Sequence, residues 1–228
     1  FGFPGFYLTP DGPRLEHYSH MLGVHPEHRN LGIGFKLKRA QWQIVRQQGI
    51  DRITWTYDPL LSRNAWLNIT RLGAVCNTYH QDFYGTMRDE INLGVASDRF
   101  QVDWWVNTPR VNHRLSRNSR PPLELEHYLS SEACILNPAR QLADGSLEAA
   151  EWKGVVPDAR ATFLLVEIPV NFLGLKSLHP PLARRWRMHS RQIFEELFAL
   201  GYLVTDFVHL PGASARSYYV LCHGESTL

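Results

Sequence analysis

Cysteine is scarce, and its placement argues against cross-linking. Cys76, Cys134 and Cys222 are an odd, widely spaced trio in 228 residues, neither a disulfide framework nor a zinc ligand set. Reduced thiols are expected, and with them a cytoplasmic location. Long apolar runs are missing too. Nothing approaches the roughly 18 to 20 residues that a membrane span needs, and no charged-then-apolar segment opens the chain. Charge of one sign is also lacking: 24 basic and 22 acidic side chains leave a net charge of +2, too weak a field to argue for nucleic acid or an anionic membrane as partner. Any electrostatic site is therefore local.

What is present is ample core material, 44% hydrophobic residues, enough for one large domain or two small ones. The chain opens at Phe1 rather than Met, inside a strand-like segment, and further residues upstream are expected. Phe1 to Leu8 followed by Thr9-Pro10-Asp11-Gly12-Pro13 reads as a hairpin. Leu15 to Val24 reads as a strand, Phe35 to Gln48 as a helix stopped by Gly49, and Ile53 to Tyr57 as a short strand. Ser62 can cap a helix that runs to Leu72 and stops at Gly73. Strand, loop, helix, strand, helix within about sixty residues is an α/β pattern.

Beyond Gly94 the order is less regular. Phe100 to Val106 reads as a strand and Asn107 to Pro122 as a basic loop carrying Arg110, Arg114, Arg117 and Arg120. Ala161 to Val170 reads as a strand, Pro181 to Leu200 as a helix, and Tyr202 to Leu210 with Ser217 to Cys222 as a hairpin. There is no fixed-period repeat. The division expected is residues 1–95 as one unit and 96–228 as an α/β half that either continues the sheet or forms a degenerate second unit.

The segment with chemistry in it is Leu22-Gly23-Val24-His25-Pro26-Glu27-His28-Arg29-Asn30-Leu31-Gly32-Ile33-Gly34, between a strand and an amphipathic helix. Gly32 and Gly34 let the backbone turn tightly and bring successive N–H groups to an anion at the helix N-terminus, where the dipole also favours negative charge. Arg29 can add a charge-assisted contact, with Lys36 and Lys38 just beyond. A glycine pair before a helix is weak evidence alone, since tight turns use glycine with no ligand.

The fuller pattern Arg29-x-x-Gly32-x-Gly34, preceded by Val24 and Pro26, resembles the pyrophosphate loop of the GCN5-related N-acetyltransferase (GNAT) superfamily. The resemblance covers about the first third of the chain and extends through Ala65 to Leu72-Gly73. It implies a mixed, mostly antiparallel twisted sheet flanked by helices (α/β in the α+β sense). It implies acetyl-CoA or another acyl-CoA as cosubstrate, with no metal, and direct transfer of the acyl group to a small amine. Leu22, Gly23 and Val24 would supply a strand edge for pantetheine and the thioester. Arg29, Asn30, Leu31, Gly32, Ile33, Gly34 and Phe35 would hold the pyrophosphate, with Asn64 and Asn68 reaching the ligand from the next helix. A backbone N–H aimed at the developing oxyanion is preorganised and suits this chemistry, which then needs only a base and an acid.

Two departures stand out: Ile69 lies where many members carry the tyrosine acid, and Ser62 where many carry an asparagine. Tyr79 and Tyr84 follow nearby, and Tyr84 is the candidate acid. His20 is the candidate base, four residues before Val24, with Glu16 and Tyr18 alternating onto the same strand face. The run Asp58-Pro59-Leu60-Leu61-Ser62-Arg63-Asn64-Ala65 is similar to predicted acyltransferases associated with N-acylamino acid racemases. That similarity suggests N-acylation, or N-succinylation, of an amino acid, whose carboxylate Arg63, Arg71, Arg110 or Arg114 could meet. Asp103-Trp104-Trp105 could line the acceptor site. A noncatalytic acyl-CoA-binding regulator is the alternative. Neither nucleic acid nor a membrane is expected as partner, and a homodimer is left open.

Overall fold

A hairpin opens the chain because Thr9 and Gly12 close a tight reversal: β1 (Phe3–Thr9) and β2 (Gly12–Tyr18) pair antiparallel through their full length. The computed structural model describes residues 2–85, 95–116, 121–154 and 163–223. α1 (Ile33–Gln47) then crosses over to β3 (Arg52–Tyr57), which lies parallel to β2. α2 (Ser62–Ala65) continues as π-helical turns over Trp66–Arg71 and leads into β4 (Val75–His80) and β5 (Arg99–Trp105). Next come α3 (Pro109–Leu115), α4 (Leu125–Ser130), and the short strands β6 (Cys134–Ile135), β7 (Arg140–Gln141) and β8 (Leu147–Glu148). β9 (Leu164–Ile168), α5 (Phe172–Leu178), α6 (Pro180–Ala199), β10 (Tyr202–Leu210) and β11 (Arg216–His223) complete the fold.

One nine-stranded sheet runs in the order β1-β2-β3-β5-β4-β10-β11-β9-β6, with β7 and β8 as a separate ribbon. The sheet is mixed and mostly antiparallel. Its two parallel junctions are β2 with β3 and β6 with β9. The order is symmetric about the β4–β10 contact. A strand, helical segment and two antiparallel strands (β3, α2, β4, β5) are matched by a second such set (β9, α5 with α6, β10, β11), each preceded by a strand parallel to its first one. The helical parts differ greatly in length, which explains why no fixed period is visible in the sequence.

The core is continuous across the middle. Tyr57, Phe100, Phe194, Phe207 and Tyr219 pack into one aromatic cluster under α6. Polar ties reinforce it. The Tyr57 and Tyr219 hydroxyls lie 3.0 Å apart, and Tyr219 donates to the Pro59 carbonyl at 2.8 Å. Arg187 on α6 reaches Asp58 at 2.5 Å, and Arg191 binds Asp98, whose side chain is fully buried, at 2.7 Å. Burial raises the Asp98 pKa, but bonds from Arg191, the Asp82 amide and Tyr79 outweigh it and hold the carboxyl below the usual carboxylate range.

Several expectations are corrected. The strand expected over Leu15 to Val24 is Gly12–Tyr18, and residues 19–25 leave the sheet. Ser62 does not cap its helix: Leu61 is the N-cap, and the Ser62 hydroxyl donates to the Pro169 and Val170 carbonyls across the molecule. The basic loop contains α3, started by Thr108 as N-cap and Pro109 at its first position. Its arginines are structural: Arg110 donates to the Gly73 and Thr205 carbonyls, and Arg114 pairs with Asp206 at 2.6 Å. Arg117, Arg120 and Ala161 lie outside the described residues. Trp104 of the aromatic triplet is core, its indole N–H donating to the Leu72 carbonyl, while Asp103 pairs with Arg52.

Tyr219→Phe leaves the Pro59 carbonyl and the Tyr57 hydroxyl short of a partner inside the core. The expected cost is about 1–3 kcal/mol in urea unfolding, with no change in m-value.

Candidate functional site

The site starts where β2 and β3 part. Their parallel pairing covers only His17 with Ile53 and Tyr18 with Thr54. The Ser19 amide then donates to the Thr54 carbonyl at 2.8 Å, and among the described residues no later backbone bond joins the two strands. β2 has to leave because the chain must turn through a 3₁₀ segment at Pro26–His28 to enter α1. Leu22 and Gly23 are exposed on one side of the gap, with Val24 half-buried.

The turn into α1 has the form an anion needs. Asn30 and Gly32 both take left-handed backbone conformations, with φ of 68° and 71°, and Gly32 is the N-cap. No side chain caps the helix and no acidic residue sits in its first turn, so the leading amides of Ile33, Gly34 and Phe35 keep their dipole unopposed. Arg29, Asn30 and Leu31 are exposed around them. Arg29 folds back so that Nε donates to the Val24 carbonyl at 3.4 Å. Arg63 at the start of α2 donates to the Asn30 side-chain oxygen, which fixes the loop to the next helix and assigns that arginine a partner within the protein.

Gly34 is the second residue of α1 and faces Leu22 and Leu67. A Cβ built there would meet only Leu67 at 3.7 Å and Leu22 at 3.9 Å, both ordinary contacts. The fold would accept alanine here and gain helix stability of roughly 1 kcal/mol. The protein's own packing therefore supplies no steric reason for glycine here.

The remaining candidates are dispersed. His20 is exposed, its ring 6.0 Å from Phe3 and 6.1 Å from Tyr18. Glu16 lies on β2, which ends before His20, so the two do not share a strand face, and Glu16 is bound to Arg52 at 3.1 Å. Tyr84 is half exposed in the turn after β4, its ring 5.0 Å from the Arg99 guanidinium. Register puts that turn at the end of the sheet toward which β2 and β3 open, because Tyr57 and Tyr79 both pair with Phe100. Tyr79 itself is held in the core, donating to Asp98 at 2.7 Å, with burial and that carboxylate pushing its hydroxyl pKa up. Asn64 is half-buried in α2. Asn68 is buried in the π-helical turns, so the two do not share one regular α-helical face. Ile69, where the resemblance would put a tyrosine, is fully buried. Arg71 lies over the Phe35 and Trp66 rings.

Sequence reasoning placed Lys38 only as a charge just beyond the loop, and its burial corrects that reading. It is 4% exposed on the sheet-facing side of α1. Its ammonium donates to Ser19 Oγ at 2.8 Å and Gln41 Oε1 at 3.3 Å and sits 3.4 Å from the centroid of the Trp55 ring. No carboxylate pairs with it among the described residues, and burial brings its pKa down to about 7. The available signal was the lysine's place on the apolar stripe of α1, between Phe35 and Trp42.

The second parallel junction is closed. Beyond Ile135, the Asn137 amide takes the place of a strand, accepting from the Glu167 amide at 2.7 Å and donating to the Glu167 carbonyl at 2.9 Å. Burial lowers the His189 pKa to about 4, so its neutral ring faces the same Asn137 nitrogen at 3.0 Å. Among the described residues no His, Cys, Asp or Glu cluster could hold a metal, and no helix is long and apolar enough to cross a membrane.

Because burial lowers the Lys38 pKa, the unfolded chain binds its proton more tightly than the folded one. The resulting penalty is full below about pH 7 and fades as pH rises toward the free lysine value near 10.4. Lys38→Met is expected to stabilise the fold by on the order of 1 kcal/mol at pH 6, with the gain shrinking by pH 10 in parallel urea titrations.

Comparison with known proteins places this geometry. No curated protein and no solved structure matches the chain. Residues 2–66 match the family model described as the Acetyltransferase (GNAT) family, a span that runs from β1 through α2 and contains the parted strands, the loop and α1. That match supports an acyl-CoA-dependent acetyltransferase function in general, with an acyl-CoA donor and an acceptor substrate.

Proposed function

We propose that the chain is an acyl-CoA-dependent N-acyltransferase that moves an acetyl or succinyl group to a small amine, with an amino acid as acceptor, by direct transfer in a ternary complex. The observation that carries this is the uncapped N-terminus of α1 at the mouth of the parted strands, with Gly34 open to a ligand. The pyrophosphate would rest on the amides of Ile33, Gly34 and Phe35, with Arg29 turned from the Val24 carbonyl to a phosphate oxygen. Pantetheine would lie along Leu22, Gly23 and Val24, whose backbone groups have no partner strand there. An N–H of that edge would receive the carbonyl oxygen as it becomes an oxyanion.

The amine attacks the thioester carbon, the C–S bond breaks, and the amine's proton leaves to a base while the thiolate takes one from an acid. His20 is assigned the base and Tyr84 the acid. Glu16 is committed to Arg52 and is assigned to orienting that charged face. The elements from β6 to β11, which follow β5 rather than residue 95, are read as a degenerate second unit of the same topology, whose own junction is filled by Asn137, so one CoA binds per chain. The branch associated with N-acylamino acid racemases remains the preferred relationship. Buried Ile69, in place of the family's tyrosine, favours the noncatalytic regulator as second reading.

Titration calorimetry with CoA, acetyl-CoA and succinyl-CoA, followed by thiol release against an amine panel, separates the two. Arg29→Ala and Gly34→Val are each expected to weaken CoA binding about tenfold or more while the far-UV spectrum is unchanged. Binding at full strength in both variants removes the proposal. His20→Ala is expected to lower kcat about a hundredfold at unaltered CoA affinity, and binding without any turnover in the parent protein assigns it to the regulator.

A further inference from the structure

The buried ammonium of Lys38 stands next to the donor edge, and no carboxylate pairs with it among the described residues. Lys38, Ser19, Gln41 and His17 form one ordered chain: the ammonium donates to Ser19 Oγ, Ser19 donates to Gln41 Oε1 at 3.2 Å, and the Gln41 nitrogen lies 3.0 Å from His17 Nε2. Hydrogen bonds and the Trp55 ring steady the cation, but none of them cancels its charge. The same Ser19, Gln41 and His17 wall a cavity of about 380 Å³. The pocket is open to solvent, and its lining also includes Leu22 and Gly23, the residues assigned to the thioester edge, and the exposed α1 side chains Leu37 and Ile44. No acidic residue is among its walls.

An apolar cavity with one uncompensated cation behind two hydrogen-bonding groups has the composition of a site for a short aliphatic acid. We infer that Lys38, through Ser19 and Gln41, forms a carboxylate subsite of the acyl-transfer site and selects the substrate that carries a free carboxylate. This rests on the acyltransferase reading for its placement. A carboxylate there would take the second Gln41 amide N–H, or the Ser19 hydroxyl once it turns from Gln41 Oε1, as donor and neutralise the ammonium, a charge-assisted contact. It could belong to a dicarboxylic acyl donor or to an amino-acid acceptor.

The test compares the parent protein with Lys38→Met. Donor affinity is measured by calorimetry with acetyl-CoA and succinyl-CoA, and acceptor preference by KM for an amino acid against its carboxamide. A parent preference of about tenfold or more for succinyl-CoA, lost in Lys38→Met while acetyl-CoA affinity is kept, places the carboxylate on the donor. The same loss confined to the amino acid places it on the acceptor. Discrimination on neither arm, or discrimination that survives in Lys38→Met, overturns the subsite.

A second readout needs no variant. In protein with ¹³C-labelled lysine, the Lys38 titration is expected to move to higher pH when succinate alone is added and to stay put with butyramide. An unmoved titration with succinate counts against the subsite. A moved one in a protein that binds no CoA species would keep the subsite and remove the acyltransferase reading.

Discussion

The parting of β2 from β3 after one bond beyond their pairing is the constraint on which the candidate site depends. Parallel neighbours must be joined by a crossover, here α1, and the chain has to quit the sheet to enter it. In most α/β units the departing strand's neighbour is covered at once. Here residues 20–24 leave beside an edge of β3 with no other strand between them. Backbone groups away from water need partners, and an extended amide-bearing ligand offers what a strand would. The uncapped N-terminus of α1 proposed to take an anion, the unpaired edge at Leu22 to Val24 and the pocket beside Lys38 all follow from that single departure.

The second half shows what the alternative looks like. Its parallel junction, β6 with β9, has the same placement relative to its own antiparallel strands, yet Asn137 bridges it with both ends of its amide. Glu167 then anchors the surrounding turn, taking Arg216 at 2.7 Å and the Ala139 amide at 2.7 Å. Among the described residues, two junctions of one topology thus differ in that a side chain bridges one and none bridges the other. The halves are held together by a shared aromatic core and by charges that cross it, Arg187 to Asp58, Arg191 to Asp98 and Arg114 to Asp206, so the open junction is carried on a framework that the closed half stiffens.

Much of this was legible in the residues. Turn chemistry at Thr9 to Pro13, the glycine stop after α1, and the apolar periods of α6, β10 and β11 carry local information, and the elements lie within a few residues of where those signals place them. The Gly32 and Gly34 pair marked the helix entrance for the same reason. What failed depended on distant contacts. Ser62 looks like an N-cap because caps are local, but its hydroxyl is used by carbonyls more than a hundred residues away. Arg110 and Arg114 look like a solvated basic loop because their acceptors, Gly73, Thr205 and Asp206, are invisible at short range. The strand at Leu15 to Val24 was drawn too long because hydrophobic alternation continues after the pairing ends. Lys38 was read only as one more charge near the loop, since nothing in a sequence window shows that Trp55 and Ser19 enclose it.

The most direct measurement is an amide chemical-shift map of the ¹⁵N-labelled protein with and without CoA. The account predicts large shifts at Leu22 to Val24 and at the Ile33, Gly34 and Phe35 amides, with Asn137 and Glu167 unmoved. Shifts centred on Asn137 and Glu167, or an unchanged spectrum at saturating CoA, would contradict it.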